Sequence, residues 1–434
     1  MEAFVIDGGR RLKGAVPVSG AKNAALPLMA AALLTDDPVT LSDVPLLRDI
    51  SSMQSVLADV GCTSERLADG SLRLQVTDPK PCHARYELVR TMRASICVLG
   101  PLLAKRGRAR VSMPGGCAIG DRPVDLHLRG LAALGARITL HGGDITAEAS
   151  RLQGTTIFLG GPMGSTVLGT ANVMSAATLA EGVTVIESAA CEPEVVDLAD
   201  LLNRMGAHIS GAGTPRITIE GVKSLSGAKH RIIADRIEAG TYAIAGALTN
   251  GELTVENFPY DNLLALIDRL TEIGVEVDRL PGSTDRNRCR VAIHSRRRLA
   301  PVQVTTQPFP GFPTDLQAQL LALLCLADGN SVVTERIYPE RFLHVAELGR
   351  MGANIFRQGP TVIISGVPHL IGAPVMASDL RASACLVLAG LAAQGRTVIN
   401  RVYHLDRGYE GMEKKLNACG ASIQRVDAED APTS

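Results

Sequence analysis

The stretch Thr170-Ala-Asn-Val-Met-Ser-Ala-Ala-Thr-Leu-Ala180, continued by Glu181-Gly182, Val183-Thr-Val-Ile186 and Val195-Val-Asp-Leu-Ala-Asp-Leu-Leu-Asn-Arg-Met205-Gly206, decides the fold. Residues 170–180 are small or apolar nearly all round, the pattern of a helix with no solvent face. The β-branched run 183–186 reads as a strand. Val195, Leu198, Leu201, Leu202 and Met205 then recur at helical spacing, with Asp197, Asp200 and Asn203 between them, so the second helix is amphipathic and covers a core. Gly206 stands where a helix leaves through a left-handed residue. Short strands at 207–210 and 216–219 complete a βαβαββ unit in cyclic order.

The helical tail of this unit, apolar-Gly-small, occurs six times: Val60-Gly61-Cys62, Leu134-Gly135-Ala136, Met205-Gly206-Ala207, Ile273-Gly274-Val275, Met351-Gly352-Ala353 and Cys419-Gly420-Ala421. The glycines are 74, 71, 68, 78 and 68 residues apart, so the 434 residues divide into six units of about 72. The first helix of other units is also apolar on every side, at 24–34, 96–103, 320–327 and 382–393. Three such buried helices inside a shell of sheets make one domain and six make two, with a break near 229–232. A linear solenoid of six stacked units is the alternative.

Composition removes other classes. Apolar residues are 46% and charged residues 20% of the chain, which suits a globular protein with a large core. Lys and Arg number 44, Asp and Glu 44, and aromatics are 3% with no Trp, so neither a basic stripe nor a stacking platform for nucleic acid is present. No apolar run reaches the roughly 18 to 20 residues of a membrane helix. Basic residues before Ala24–Leu34 imitate a targeting signal, but Pro27 interrupts the run and no small-residue cleavage site follows it. Nine scattered cysteines, without a CxxC or a Cys/His cluster, point to a reducing cytoplasm and to no metal site.

Polar side chains gather where the buried helices start, in positions their folding does not need: Lys22-Asn23, Arg90 and Arg93, Asp235-Arg236 with Glu238, Asp315 with Gln317, and Asp379 with Arg381. Helix N-termini offer free N–H groups and a positive dipole end that suit an anion. Asp315 and Asp379 can equally be N-caps. Lys22, Arg93 and Arg381 oppose the dipole, so each calls for an anionic ligand or an internal carboxylate partner. Separately, Pro114-Gly-Gly-Cys117-Ala-Ile-Gly120-Asp-Arg122 sets a thiol in a loop of helix and strand breakers, with a cation nearby that favours thiolate chemistry.

Along essentially its full length the chain resembles the enolpyruvyl transferases. The resemblance rests on Ser19-Gly-Ala-Lys22-Asn23-Ala-Ala-Leu-Pro27, Thr91-Met-Arg93-Ala-Ser95, the Cys117 loop running on through Pro-Val-Asp125-Leu126-His127, Glu192-Pro-Glu194, and Asp235-Arg-Ile-Glu238-Ala-Gly-Thr241. Phe312-Pro-Thr-Asp315-Leu-Gln-Ala-Gln319, Arg341-Phe-Leu-His344, Asp379-Leu-Arg381-Ala-Ser383 and His404-Leu-Asp-Arg407-Gly-Tyr409-Glu410 complete it. It implies an α/β (α+β) fold, a two-domain inside-out α/β barrel of six βαβαββ pseudo-repeats with buried helices. The domains would be 22–230 and 1–21 plus 231–434, strand 3–6 joining the second, with the active site in the cleft between them.

The Cys117 loop and the Lys22-Asn23 pair match the sugar-nucleotide branch of the family rather than its shikimate branch, and the intact set of Lys22, Cys117, Arg122, Asp315, Asp379 and Arg407 argues against the other alternative, a non-catalytic sugar-nucleotide-binding paralogue. The implied reaction moves the enolpyruvyl group of phosphoenolpyruvate to the 3′-hydroxyl of UDP-N-acetylglucosamine and releases phosphate, the first committed step of peptidoglycan synthesis, with no cofactor. By resemblance Lys22, Arg122 and Arg407 meet the phosphate end of phosphoenolpyruvate, Arg341 and Arg381 its carboxylate, and Asn23 also contacts it. Cys117 is the proton donor to carbon 3 and the point of attack for the epoxide fosfomycin. Asp315 takes the proton of the sugar hydroxyl or anchors the sugar; Lys22 and Arg407 complete the catalytic set. The nucleotide sugar would contact Asn23, Arg93, Arg122, Pro123, Val124, Asp125, Leu126, Asp315 and Ile337, with Ser165, Thr166, Val167 and Leu168 at its diphosphate. There the run 160–170 departs from the common family pattern and lacks its usual Lys. His127 and His344 are expected to be structural.

Overall fold

The computed structural model describes residues 2–114, 123–296 and 299–429, and the unit around Gly206 is built within it as its sequence dictates. Strand Thr156–Phe158 is followed by helix Val167–Ala177, strand Val183–Glu187, helix Pro193–Arg204 and strands His208–Ser210 and Arg216–Glu220. The first two strands pair in parallel, Thr156 opposite Val185, which a helical crossover makes possible. The other two pairings are antiparallel, Val183 opposite Glu220 and His208 opposite Glu220. The buried helix starts at Val167, not at Thr170, because Thr166 caps it: its Oγ1 accepts from the Gly169 N–H at 3.2 Å.

At the end of the second helix the Gly206 N–H donates to the Asn203 carbonyl and the Ala207 N–H to Leu202, both at 3.0 Å. These bonds satisfy the last carbonyls of the helix and require a left-handed residue, and Gly206 has φ +105°. The other five repeat glycines are left-handed too, at +79° (Gly61), +97° (Gly135), +100° (Gly274), +85° (Gly352) and +93° (Gly420). The period read from sequence is therefore a period of helix exits.

Among the described residues the strands form six four-stranded sheets of one strand order. The chain divides into two units, residues 2–19 with 234–429 (the split unit) and residues 20–114 with 123–233 (the inserted unit). Each has its own apolar core and its own three buried helices. In the inserted unit these are Lys22–Ala31, Leu99–Arg106 and Val167–Ala177; in the split unit, Arg236–Leu248, Gln317–Leu324 and Leu380–Ala392. The segment that imitates a targeting signal is the first of them, with every residue from Ala24 to Leu34 buried.

Linear stacking is excluded by the way each unit closes on itself. Lys229–Arg231, at the end of the inserted unit, pairs in parallel with Val39–Ser42 near its start. In the split unit Glu2–Asp7 lies between Arg396–Asn400 and Ile423–Asp427, and Lys13–Pro17 pairs with Glu252–Phe258. No helix among the described residues is long and apolar enough to cross a membrane.

One buried polar side chain explains how bare helices pack. The 3-10 turn Arg93–Val98 passes into helix Leu99–Arg106, and the Leu99 N–H at the junction donates to the Ile96 carbonyl. Asn172, 1% exposed, bonds to both sides of that junction: its Oδ1 accepts from Gly100 N–H at 2.8 Å and its Nδ2 donates to the Ile96 carbonyl at 2.9 Å. The same Nδ2 lies 2.8 Å from His127 Nδ1. His127 is thus part of the packing of its unit, as expected from sequence.

Candidate active site

Asp315 stands at the centre of the split unit's polar cluster. It lies in the 3-10 turn Thr314–Leu316 that leads into helix Gln317–Leu324, and its side chain does not cap that helix. Arg341 Nη1 donates to one carboxylate oxygen at 2.7 Å and Arg381 Nη2 to the other at 2.8 Å. The arginine side chains are 7% and 5% exposed and that of Asp315 is 25% exposed, so the open side of the triad is the carboxylate. Burial alone would raise the Asp315 carboxyl, but the charges of Arg381 and Arg341 outweigh it and hold the group well below the usual carboxylate range. In this arrangement it is a weak base.

Each arginine is placed by its own element. Asp379 caps helix Leu380–Ala392, accepting from the N–H groups of Arg381 (2.9 Å) and Ala382 (3.1 Å), and so fixes Arg381 in the first turn. Arg381 Nη1 also donates to the Tyr409 hydroxyl at 3.2 Å, and its guanidinium carbon lies 5.5 Å from that ring's centre. Tyr409 accepts in addition from Gln319 Nε2 at 3.1 Å, so its own proton goes to Thr241 Oγ1 at 2.9 Å. Thr241 passes its proton on to the Ile237 carbonyl at 2.7 Å.

Arg341 Nη1 donates also to Thr314 Oγ1 at 3.1 Å, and that hydroxyl donates to Glu335 Oε2 at 2.8 Å. Glu335 is fully buried; its other oxygen accepts from Thr306 Oγ1 and from the N–H groups of Ile337 and Tyr338 at 2.7, 2.7 and 2.9 Å. One carboxylate therefore ties the segment carrying Ile337 to the turn carrying Asp315. Arg407 ends the 3-10 stretch Val402–Arg407, which packs on helix Leu380–Ala392, and is half-buried. His344 is 2% exposed, and burial pushes it down to about 4. It is a neutral core histidine beside the cluster, in line with its expected structural role.

In the inserted unit Lys22 is the first residue of its helix and is buried, with Nζ 3.1 Å from Asp49 Oδ2. Asn23 follows it, half-buried. Arg93, half-buried, donates through Nη2 to the Pro123 carbonyl at 3.3 Å. Val124 is buried, Leu126 half-buried, and exposed Asp125 opens helix Asp125–Ala133. Ser165, Thr166, Val167 and Leu168 are half-buried at the capped start of helix Val167–Ala177, where first-turn amides point outward. Cys117 and Arg122 lie outside the described residues.

The two readings left open at the helix starts resolve differently. Asp379 and Asp235 are caps; Asp235 accepts from Ile237 and Glu238 N–H at 2.8 and 3.0 Å. Asp315 is not. For Lys22 and Arg381 the dipole-opposing cation has a carboxylate partner within its own unit, Asp49 and Asp315 respectively. Glu335, Asp49 and the hydroxyl hub of Tyr409 were not singled out in the sequence. Tyr409, Gln319, Thr241 and Thr314 do stand in the motifs quoted above, which is the one signal that could have found them.

The chain resembles known proteins over this whole span. Residues 6–416 match the profile of EPSP synthase (3-phosphoshikimate 1-carboxyvinyltransferase). A UDP-N-acetylglucosamine 1-carboxyvinyltransferase of Anaeromyxobacter is 54% identical, the match covering 99% of this chain and 100% of that one. One of the same name from Lawsonia intracellularis is 52% identical over 98% and 100% of the two chains. Among solved structures, the enolpyruvyl transferase NikO from Streptomyces tendae superposes with a TM-score of 0.87 at 26% identity, covering 98% of this chain and 99% of its own. An EPSP synthase from Acinetobacter baumannii, 17% identical, has the same fold at a TM-score of 0.73 over 98% and 100%.

Proposed function

The chain belongs to the EPSP synthase family of enolpyruvyl transferases, and from that premise we infer that it is a UDP-N-acetylglucosamine 1-carboxyvinyltransferase of peptidoglycan synthesis. The observation that carries this reading is identity of 51–54% over 97–99% of the chain to relatives of that activity. The two-arginine cluster at Asp315 supports it, because phosphoenolpyruvate brings a carboxylate that needs such a partner.

Addition joins the acceptor's 3′-oxygen to carbon 2 of phosphoenolpyruvate, while carbon 3 gains a proton from the Cys117 thiol and the acceptor's own proton passes to Asp315. Elimination then returns a proton from carbon 3 to the Cys117 thiolate and breaks the bond from carbon 2 to the phosphate oxygen, and the departing phosphate takes the proton held by Asp315, leaving an enol ether and phosphate. Lys22, Asn23, Arg122 and Arg407 hold the phosphate and stabilise charge as it departs; Arg341 and Arg381 hold the carboxylate. Asn23, Arg93, the run 122–126, Asp315 and Ile337 position the nucleotide sugar. Its diphosphate meets residues 165–168, where the amides of a helix start replace the absent Lys. The cytoplasm is the proposed compartment, in keeping with eight unpaired cysteines among the described residues.

Phosphate release tests this directly. With phosphoenolpyruvate and UDP-N-acetylglucosamine the wild type should turn over, and with shikimate 3-phosphate it should not; the reverse pattern would move the chain to the other branch. Cys117→Ser should lower the rate about 10²- to 10⁴-fold, the usual worth of a general acid.

A further inference from the structure

The two guanidiniums assigned to the substrate carboxylate are already occupied by a carboxylate of the protein. Asp315 takes Arg341 on one oxygen and Arg381 on the other, each through a single N–H. Neither contact is the two-pronged fork that arginine forms with a carboxylate at its strongest. The arginines are fixed from behind, Arg381 by the Tyr409 hydroxyl and its helix cap, Arg341 by Thr314. Asp315 is the more exposed member and sits in a short 3-10 turn, so it is the one free to leave. A carboxylate so held cannot accept a proton readily, although the reaction asks it to.

We propose that Asp315 is an internal stand-in for the carboxylate of the enol phosphate: the incoming carboxylate displaces it from Arg341 and Arg381, and only then does Asp315 become a base for the acceptor hydroxyl. The exchange rests on the function proposed above. Before it, one anion is shared by two cations. After it, the substrate carboxylate holds both guanidiniums, and Asp315, relieved of two adjacent positive charges, regains ordinary carboxylate basicity. No bond to carbon forms or breaks in the exchange; the proton of the acceptor hydroxyl passes afterwards to an Asp315 oxygen. Base strength thus becomes available when the donor is seated, which keeps the free enzyme from carrying an active base.

The test uses phospholactate, a saturated analogue with the same phosphate and carboxylate, titrated calorimetrically in the presence of UDP-N-acetylglucosamine. Asp315→Asn removes the competitor and should bind phospholactate about 10-fold more tightly than wild type, as expected for one charge-assisted contact no longer lost. Inorganic phosphate, which lacks the carboxylate, should gain much less. Equal or weaker phospholactate binding by the variant, or an equal gain for phosphate, overturns the exchange. A crystal structure of the wild type with phospholactate needs no variant: at least one of the two Asp315 contacts should be out of hydrogen-bond reach, and persistence of both refutes the proposal. Turnover of the wild type keeps these outcomes distinct, since an enzyme that releases phosphate from phosphoenolpyruvate yet fails either test loses the exchange and keeps its function.

Discussion

His344 translates burial into a pH dependence of stability. In the unfolded chain it titrates near the ordinary 6.5, while in the fold, burial pushes it down to about 4. Between those values the unfolded state takes a proton that the folded state refuses. The full contribution is therefore present above about 6.5 and is lost as pH falls toward 4, a difference of roughly 3 kcal/mol. His344→Leu should flatten the fall of the denaturation midpoint between pH 7 and pH 4.5; an unchanged slope would assign that fall to other groups. At this scale the sequence was only half legible. It marked Lys22 and Arg381 as cations in need of a partner, but the partners lie 27 and 66 residues away, at Asp49 and Asp315, and no local pattern joins them. Glu335 was invisible for the same reason: a buried acid among hydroxyls and amides leaves no periodic trace.

Helix exits and helix contacts are both glycine positions here, but for different physical reasons. At Gly206 a Cβ would meet nothing within 4 Å, and the residue is glycine because φ is +105°. Gly206→Ala should therefore cost about 1 kcal/mol, the price of a left-handed alanine. Gly100 has room for no Cβ at all, since the Asn172 carbonyl oxygen would lie 2.3 Å from it. Gly100→Ala must separate two buried helices and should cost about 3 kcal/mol. Thermal denaturation of both variants measures the contrast, and equal losses would contradict it. The exit glycines were legible because they recur with the repeat. Gly100 was not, because its need arises from a helix more than seventy positions along the chain. The start of the Val167 helix was missed by three residues: the small-residue pattern locates a buried face, whereas the boundary belongs to the Thr166 cap.

On the scale of the molecule, the two units differ in how they depend on the chain's beginning. The inserted unit closes its sheets with its own residues, Lys229–Arg231 returning to Val39–Ser42. The split unit borrows two strands from residues 2–19, one of them interior to its sheet, with Phe4 and Ile6 fully buried. A variant beginning at residue 20 should lose the cooperative calorimetric transition of the split unit and keep that of the inserted one; two surviving transitions would refute this dependence. The sixfold repeat was legible because its glycines and apolar helices are local. How each ring of sheets closes was not, because a three-residue strand such as Lys229–Arg231 carries too little pattern to name its partner. The borrowed strand has a further consequence, for synthesis. Glu2–Asp7 leaves the ribosome well before its partners Arg396–Asn400 and Ile423–Asp427. Arg396 comes 389 positions after Asp7, so at about 5 to 20 residues per second the strand waits on the order of 20 to 80 s with both edges bare. The inserted unit can complete itself meanwhile, so the nascent chain carries a finished domain behind an apolar ribbon still looking for its sheet.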